Sequence, residues 1–199
     1  MSGPPLRTFI AVHPIQRILD KVTNVQQELK TVLAAKEIRW VNPKQIHLTL
    51  KFLGNVPAGS IGEIESAIRS AGTGMPAFTL SAEGLGVFPD ERRPQVLWAG
   101  LGGEVAVCQQ LQLKIECQTA RWSQPESKPF YPHLTLARLK NLRTDEAREL
   151  TSRLHSHAAA HFGSWMVNYV WLMESRLSSA GAEHFPLAQI TLGSQCCAL

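Results

Sequence analysis

The sequence predicts an α+β protein, a bilobal single domain with two duplicated β-α-β-α-β half-lobes. Three observations support this prediction. The 199 residues fit one domain and suffice to bury a core without disulfides or metals. The apolar spacing switches repeatedly between the strand period of two and the helix period of about 3.6. The tetrapeptide His-Leu-Thr-Leu occurs twice, at 47–50 and 133–136, in the same order of elements.

The first half of the chain alternates strands and helices. The segment Leu6–Val12 is predicted to be a strand, and Pro14 opens a helix because proline fits the first helical turn. The Ser60–Glu63 pattern of a capping box predicts the start of a second helix. The remaining elements of this half are the strands Gln45–Leu53 and Ala77–Val87, with the second helix ending at Gly72 and Gly74.

The second half follows the same order and adds one strand. A charged turn, Asp90–Pro94, separates the halves, but no linker-like stretch does. We therefore expect 1–199 to be one domain with an internal repeat of about 6–87 and 95–192. The predicted elements are the strands Gln95–Leu101 and Tyr131–Arg138, the helices Gly103–Arg121 and Thr144–Ala160, and the closing strands Trp165–Glu174 and His184–Leu192.

The repeat extends beyond the shared tetrapeptide. When Pro43–Val56 is aligned with Pro129–Leu142, seven of the fourteen positions are identical. In a strand, residues i and i+2 lie on the same face. This rule predicts that His47, Thr49 and Lys51 share one face while Leu48, Leu50 and Phe52 share the other, and that His133, Thr135 and Ala137 share a face in the second copy.

A single His-x-Thr strand is usually an ordinary solvated sheet face. Two copies related by duplication predict instead that both polar faces meet in one cleft. Histidine titrates near pH 6.5, so one imidazole can be a neutral base while the other is a protonated acid. Threonine hydroxyls can donate hydrogen bonds to phosphate oxygens. The pattern therefore predicts phosphoryl chemistry with His47 and His133 as the acid–base pair and Thr49 and Thr135 as phosphate-binding residues.

Metal sites are poorly supported, and no membrane span is expected because no run approaches 18 uninterrupted apolar residues. Only three aspartates occur, far apart, and the HSHAAAH segment, with His157 and His161 at i, i+4 spacing, is better explained as a solvated helix face. The four cysteines form no CxxC motif; Cys108 and Cys117 are expected to pack on a helix, and Cys196 and Cys197 are adjacent. We expect no metal, no cofactor, no signal segment and a reducing, cytoplasmic setting.

The two HLTL segments resemble the paired His-x-Thr/Ser-x motifs of the 2H phosphoesterases. The flanking segments RTFIAV, RWVNPKQIHLTLKFLGNV, FPDERRPQVLWAGL and PFYPHLTLARL are similar to the RNA 2′,3′-cyclic phosphodiesterases, also called 2′-5′ RNA ligases. This resemblance implies mainly antiparallel sheets lining a central cleft. It also implies hydrolysis of a 2′,3′-cyclic phosphate to a 2′-phosphomonoester, with ATP-independent 2′-5′ joining of RNA ends. It favours His133 as the base and His47 as the acid.

The expected partner is RNA with a 2′,3′-cyclic phosphate end, tRNA fragments included, and a monomer is expected. The net charge of +4 favours phosphate-bearing partners only weakly. Phe88 and Tyr131 are candidates for base stacking, and Lys44, Arg92 and Arg93, with Arg39 and Arg138, for phosphate contacts. Trp98, in an apolar strand, is expected to be a core residue, and Trp40 is expected to pack in the core or at its rim. The chain departs from the family pattern at Gln95 and at His184, where an aromatic residue is common.

Two alternatives stay open at this point. A non-catalytic RNA-end or nucleotide-binding module could use the same cleft, and would bind cyclic phosphate without turnover. A 2H enzyme could also act on a cyclic phosphate that is not part of RNA. Turnover of a cyclic-phosphate oligonucleotide distinguishes the first alternative, and comparison with a mononucleotide substrate distinguishes the second.

Overall fold

Two antiparallel sheets with helices on their outer sides form the body of the protein. The computed structural model describes residues 3–33, 38–125, 128–178 and 181–193. The first sheet has four strands in the order β3-β1-β8-β9, and the second has five in the order β2-β6-β5-β4-β7. The predicted α+β class with antiparallel sheets is therefore confirmed. Cys196 and Cys197 lie outside the described residues.

The first sheet packs against α2 and α3. Helix α2 contacts the edge strand β9, and α3 contacts the opposite edge strand β3. Against this sheet α2 buries Ile64 and Ile68, and α3 buries Leu111 and Ile115. The elements of this lobe are β1 (Leu6–Val12), β3 (Leu48–Val56), β8 (Tyr169–Ser178), β9 (Gly181–Thr191), α2 (Ile61–Gly72) and α3 (Val105–Gln118).

The second sheet packs against α1 and α4. Helix α1 contacts the edge strand β7 and α4 contacts β4. A short 3-10 turn, Pro43–Gln45, leads from β2 of this sheet into β3 of the other. The elements of this lobe are β2 (Arg39–Trp40), β4 (Phe78–Phe88), β5 (Val96–Gly103), β6 (His133–Arg138), β7 (His161–Val167), α1 (Gln16–Val32) and α4 (Thr144–Ser156).

Each half of the chain contributes strands to both sheets. Strand β4 comes from the first half but pairs with β5 of the second, and β8 comes from the second half but pairs with β1 of the first. The helices cross in the same way, because α1 follows β1 yet packs near β7, while α3 follows β5 yet packs on β3. The two lobes are therefore interlocked, and neither is a continuous piece of chain.

A β-bulge interrupts both HLTL strands at the same position. Ile10 pairs with Lys51 and Ala11 with Thr49, which leaves Leu50 without a partner of its own. In β6, the neighbouring strand β5 pairs with Ala137 and Thr135, which leaves Leu136 bulged in the same way. A bulge adds one residue to one strand and so changes which face the following side chains occupy.

Because of the first bulge, the prediction that Lys51 shares a face with His47 and Thr49 is wrong. Lys51 is buried on the helix side, where its Nζ lies 2.7 Å from Glu116 Oε1 of α3. Phe52 points instead to the cleft side, where it is 51% exposed and 6.1 Å from the ring of Phe9. The prediction failed because strict alternation holds only for an unbulged strand.

The second bulge has the same effect on β6. Ala137 is buried in the core, whereas Arg138 is exposed and follows Thr135 on the cleft side. Gln26 of α1 holds this bulge in place. Its Nε2 donates hydrogen bonds to the carbonyl oxygens of Val41, at 2.8 Å, and Leu136, at 2.9 Å.

Several predicted boundaries are corrected by the structure. The predicted strand Trp165–Glu174 is two strands, β7 and β8, which join different sheets; the apolar pattern runs across the junction and so hides it. Helix α4 ends before the HSHAAAH segment does, and His161 begins β7. The side chain of Ser60 makes no capping hydrogen bond, and Cys117 is exposed, although Cys108 is buried as expected. None of the described helices is both long and apolar enough to cross a bilayer.

We predict that Gln26→Leu destabilises the fold by about 1–3 kcal/mol, because the Leu136 carbonyl loses a buried hydrogen bond and the Val41 carbonyl a part-buried one. The measurement is the free energy of unfolding in urea. The neighbouring exposed Gln27→Leu is a matched control with the same change of composition. Equal stability of the two variants would show that α1 does not hold the bulge through this amide.

Candidate active site

The two HLTL strands face each other across the cleft between the sheets. Strand β3 is an edge strand of the first sheet, β6 belongs to the second, and the two are in contact. His47 directly precedes β3, and His133 is the first residue of β6. The positive charge of a protonated His133 contributes least to the lowered pKa of His47, after burial and the charges of His184 and His13. The structure thus places the two predicted histidines at the starts of two contacting strands.

Both imidazoles are held by the same hydrogen bond. His47 Nδ1 lies 2.6 Å from the carbonyl oxygen of Gln45, and His133 Nδ1 lies 2.7 Å from that of Tyr131. A carbonyl oxygen can only accept, so Nδ1 must carry the proton in both rings. In the neutral form Nε2 is then the free acceptor, and in the charged form it is a donor. In each ring Nε2 is therefore the nitrogen that this hydrogen bond leaves free.

The two threonines occupy matching places beside the histidines. Thr49 and Thr135 are both half-buried, each two residues after its histidine and directly before the bulge. Thr49 pairs with Ala11 of β1, and Thr135 pairs with Trp98 of β5. The structure therefore places the predicted quartet on the facing sides of two sheets.

On the first lobe, aromatic side chains enclose His47. The ring of Phe9 stacks on it with a centroid distance of 4.8 Å, and His184 meets it edge-on at 5.1 Å. His13 lies 6.0 Å away. Burial lowers the pKa of His47 to about 4; its bond to Gln45 opposes this shift, and the charges of His184, His13 and His133 add to it. His47 is therefore neutral at pH 7 in the free protein.

On the second lobe, three aromatic rings surround His133. Phe88 meets it edge-on at 5.1 Å, and Trp98 lies 6.4 Å away. Tyr131 contacts both of these rings and is 54% exposed. Burial lowers the pKa of His133, its bond to Tyr131 opposes the shift, and the charge of Arg138 adds to it. The prediction that Trp98 is a core residue is wrong, because it is partly exposed beside His133.

The basic side chains predicted to contact phosphates are exposed. Among them, Arg138 lies close enough to His133 for its charge to lower the pKa of that histidine. Lys44, Arg92 and Arg93 make no ion pair with any carboxylate in the described ranges. Arg39 and Arg138 are direct cross-strand partners, also without an acidic partner there. Like charges at such positions repel each other unless an anion lies between them. Among the five predicted candidates, Arg39 and Arg138 are thus better placed for a phosphate than Lys44, Arg92 and Arg93.

Sequence reasoning missed the residues that pack around His47. Phe9, Ala11 and Met173 form a small apolar cluster on the cleft side, with Trp171 against it. The alternation of Phe9, Ala11 and His13 along β1 was the available signal, since i, i+2 residues share a face. Within the described ranges, no group of three His, Cys, Asp or Glu side chains could hold a metal ion.

Comparison with known proteins agrees with this geometry. Residues 12–98 match the family model described as LigT like phosphoesterase. An RNA 2′,3′-cyclic phosphodiesterase of Methanothermobacter thermautotrophicus is 32% identical over 88% of this chain and 93% of its own. The chain belongs to the LigT-like phosphoesterase family. It is accordingly an enzyme of phosphoester hydrolysis.

Further relatives extend over the same length. A protein of Aeropyrum pernix named RNA 2′,3′-cyclic phosphodiesterase is 30% identical over 90% of this chain and 96% of its own. The crystal structure of E. coli LigT complexed with 3′-AMP is 23% identical over 96% of this chain and 99% of that one, with a TM-score of 0.75. This structural likeness shows that the two proteins share a fold.

We predict that His47 makes this LigT-like protein sensitive to acid. The unfolded imidazole binds its proton near pH 6.5 and the folded one near 4, so the unfolded state binds more protons between these values. Stability is therefore lost as the pH falls through this window, by up to about 3 kcal/mol from His47 alone. Urea unfolding at pH 7 and 4.5 measures the loss. His47→Gln should reduce it and the exposed His161→Gln should not, whereas identical losses in all three proteins would contradict the prediction.

Proposed function

We propose that the protein hydrolyses 2′,3′-cyclic phosphate ends of RNA to 2′-phosphomonoesters by acid–base catalysis with His47 and His133. The observation that carries the proposal is the matched pair of Nδ1 hydrogen bonds, which leaves an Nε2 atom on each of two facing sheets. The names of the relatives support the same reaction class. No metal or cofactor takes part in the proposed reaction.

The proposed reaction is a displacement at phosphorus. A water molecule attacks opposite the 3′-oxygen, its oxygen forms the new bond to phosphorus, and one imidazole takes its proton at Nε2. The bond from phosphorus to the 3′-oxygen breaks, and the other imidazole donates a proton to that oxygen. An in-line path needs the base and the acid on opposite sides of the phosphate, as two histidines on facing sheets can provide. Thr49 and Thr135 would donate hydrogen bonds to the other phosphate oxygens.

The roles of the two histidines follow the family resemblance, with His133 as the base and His47 as the acid. Burial keeps His47 neutral in the free protein, so it can act as an acid only after the phosphate has bound. The anionic phosphate favours the charged imidazole and raises its pKa. Substrate binding would thus favour the protonated form of His47, which is the form that can act as the acid.

RNA is the proposed substrate because of what surrounds the second histidine. The exposed ring of Tyr131, with Phe88 beside it, is suited to stack a nucleobase. Arg138 and Arg39 lie on the same lobe and could bind a neighbouring phosphate, with Lys44, Arg92 and Arg93 as outer contacts. If a 5′-hydroxyl of RNA replaces water in the same displacement, the product is a 2′-5′ linkage and no ATP is consumed. The cytoplasmic location, the monomeric state and tRNA fragments as substrates stay predictions.

We predict that His47→Ala and His133→Ala each lower kcat by about 10²–10⁴-fold, because neither histidine can perform the proton transfer of the other. Thr49→Ala and Thr135→Ala should each cost about 1–3 kcal/mol of transition-state stabilisation, since the phosphate keeps its other contacts. The measurement is turnover of a 2′,3′-cyclic-phosphate oligonucleotide, with the position of the product phosphate identified. His155→Ala, at an exposed position, is the control.

A second substrate, with a modified leaving group, distinguishes the histidine that acts as the acid from the one that acts as the base. With sulfur in place of the 3′-oxygen, the leaving group needs no proton, so the variant lacking the acid recovers activity and the variant lacking the base does not. Near wild-type rates in either histidine variant would exclude that histidine from the mechanism. Binding of the cyclic-phosphate oligonucleotide by the wild type without turnover would identify a binding module. Equal kcat/KM for cyclic mononucleotides and oligonucleotides would favour a substrate other than RNA.

We predict that activity survives excess EDTA, because the proposed mechanism transfers protons only between side chains, water and substrate. The measurement is the initial rate on the same oligonucleotide before and after incubation with the chelator. Loss of the rate, with recovery on addition of zinc or magnesium, would overturn the two-histidine mechanism.

A further inference from the structure

A third histidine, outside both HLTL segments, lies in the cleft. His184 is on β9, opposite Ser175 of β8. Its ring meets Phe9 edge-on at a centroid distance of 4.8 Å and His47 edge-on at 5.1 Å. Since Phe9 also stacks on His47, the three rings form a closed triangle on the wall of the first lobe. Any phosphate held at His47 Nε2 is therefore close to the ring of His184.

The two nitrogen atoms of His184 are in different surroundings. Nδ1 is buried and has no hydrogen-bond partner among the described residues. The side chain as a whole is only partly buried, so its exposed portion does not include Nδ1. Nε2 is thus the nitrogen that a ligand in the cleft can reach.

The buried Nδ1 also determines where the proton is held. An N–H buried without a partner is costly, so the favoured neutral tautomer carries its proton on Nε2. The charged form would bury an unpaired N–H at Nδ1 and would add to the positive charge of Arg7. Burial first, and then Arg7, lower the pKa of His184. The ring is accordingly a neutral donor with Nε2–H as its free group, opposite in tautomer to His47 and His133.

We propose that His184 is a substrate-binding residue whose Nε2–H donates a hydrogen bond to a phosphate oxygen beside His47. This inference rests on the proposed function, since it takes the phosphate of that reaction as its ligand. A fixed donor beside the phosphate stabilises developing negative charge without having to reorganise. The site would then use three histidines in two tautomers, two for proton transfer and one for binding.

Three substitutions of one residue test the proposal. His184→Gln places an amide near the position of Nε2, His184→Asn places it near Nδ1, and His184→Phe keeps the ring without either nitrogen. We expect Phe and Asn to lower kcat/KM for the cyclic-phosphate oligonucleotide by about 10- to 100-fold, and Gln to retain most of the activity. Affinity for 2′-AMP, measured by calorimetry, should follow the same order. Wild-type values for His184→Phe in both measurements would show that the ring only packs, and would overturn the proposal.

Nuclear magnetic resonance of the wild-type protein gives an independent test that needs no turnover. Two-bond nitrogen–proton correlations distinguish the imidazole tautomers, and the His184→Gln spectrum identifies the signals of His184. We expect an Nε2–H tautomer for His184 and Nδ1–H tautomers for His47 and His133 at pH 7. An Nδ1–H tautomer at His184 would overturn the proposal.

The activity, 2′-AMP binding and tautomer measurements together distinguish failure of the His184 proposal from failure of the proposed function on which it rests. If the wild type does not hydrolyse the oligonucleotide, the proposed function fails, while 2′-AMP binding and the tautomer still test His184. If the wild type is active and the Phe variant is equally active, only the inference fails.

Discussion

The hydrogen bond from each imidazole Nδ1 to the carbonyl oxygen two residues earlier is the constraint on which the site depends. It fixes the tautomer and the ring orientation together, because a carbonyl accepts and cannot donate. Both partners, Gln45 and Tyr131, lie just before an HLTL strand, so the anchor is local in sequence and occurs in both copies. The same hydrogen bond therefore leaves Nε2 of each ring as the nitrogen that a ligand can reach.

The two bulges, at Leu50 and Leu136, determine which side chains of the HLTL strands face the cleft and which face the helices. Without them, the residues after Thr49 and Thr135 would continue a strict alternation, and Lys51 would stand in the cleft. With them, Lys51 and Ala137 turn to the helix side, while Phe52 and Arg138 turn to the cleft. The same change occurs at corresponding positions of the two HLTL strands, at Leu50 and at Leu136.

Burial lowers the pKa of His47, and this lowered pKa bears on its proposed role as the acid. Enclosure by Phe9 and His184 removes water from the imidazole and disfavours its charged form. In the free protein a protonated His47 is consequently a stronger acid than an imidazole in water, and a bound phosphate would raise its pKa again. The pKa of His133 is also lowered, by burial and by the cationic Arg138 beside it. The neighbouring Tyr131 is more exposed than the residues around His47. The two rings therefore have different surroundings although their sequence motifs are nearly identical.

The sequence by itself determined the α+β class, most of the elements and the two His-x-Thr pairs, because these depend on local periodicity and on a repeated segment. Only the tertiary structure decided which sheet each strand joins, where the bulges fall and which residues surround His47. Strand pairing brings Phe9 and His184 to one ring although they are distant in the chain, and no local pattern records that contact. Trp165–Glu174 failed as one strand for the same physical reason: an apolar run is equally suited to either sheet, and only its partners, β4 and β1, separate β7 from β8.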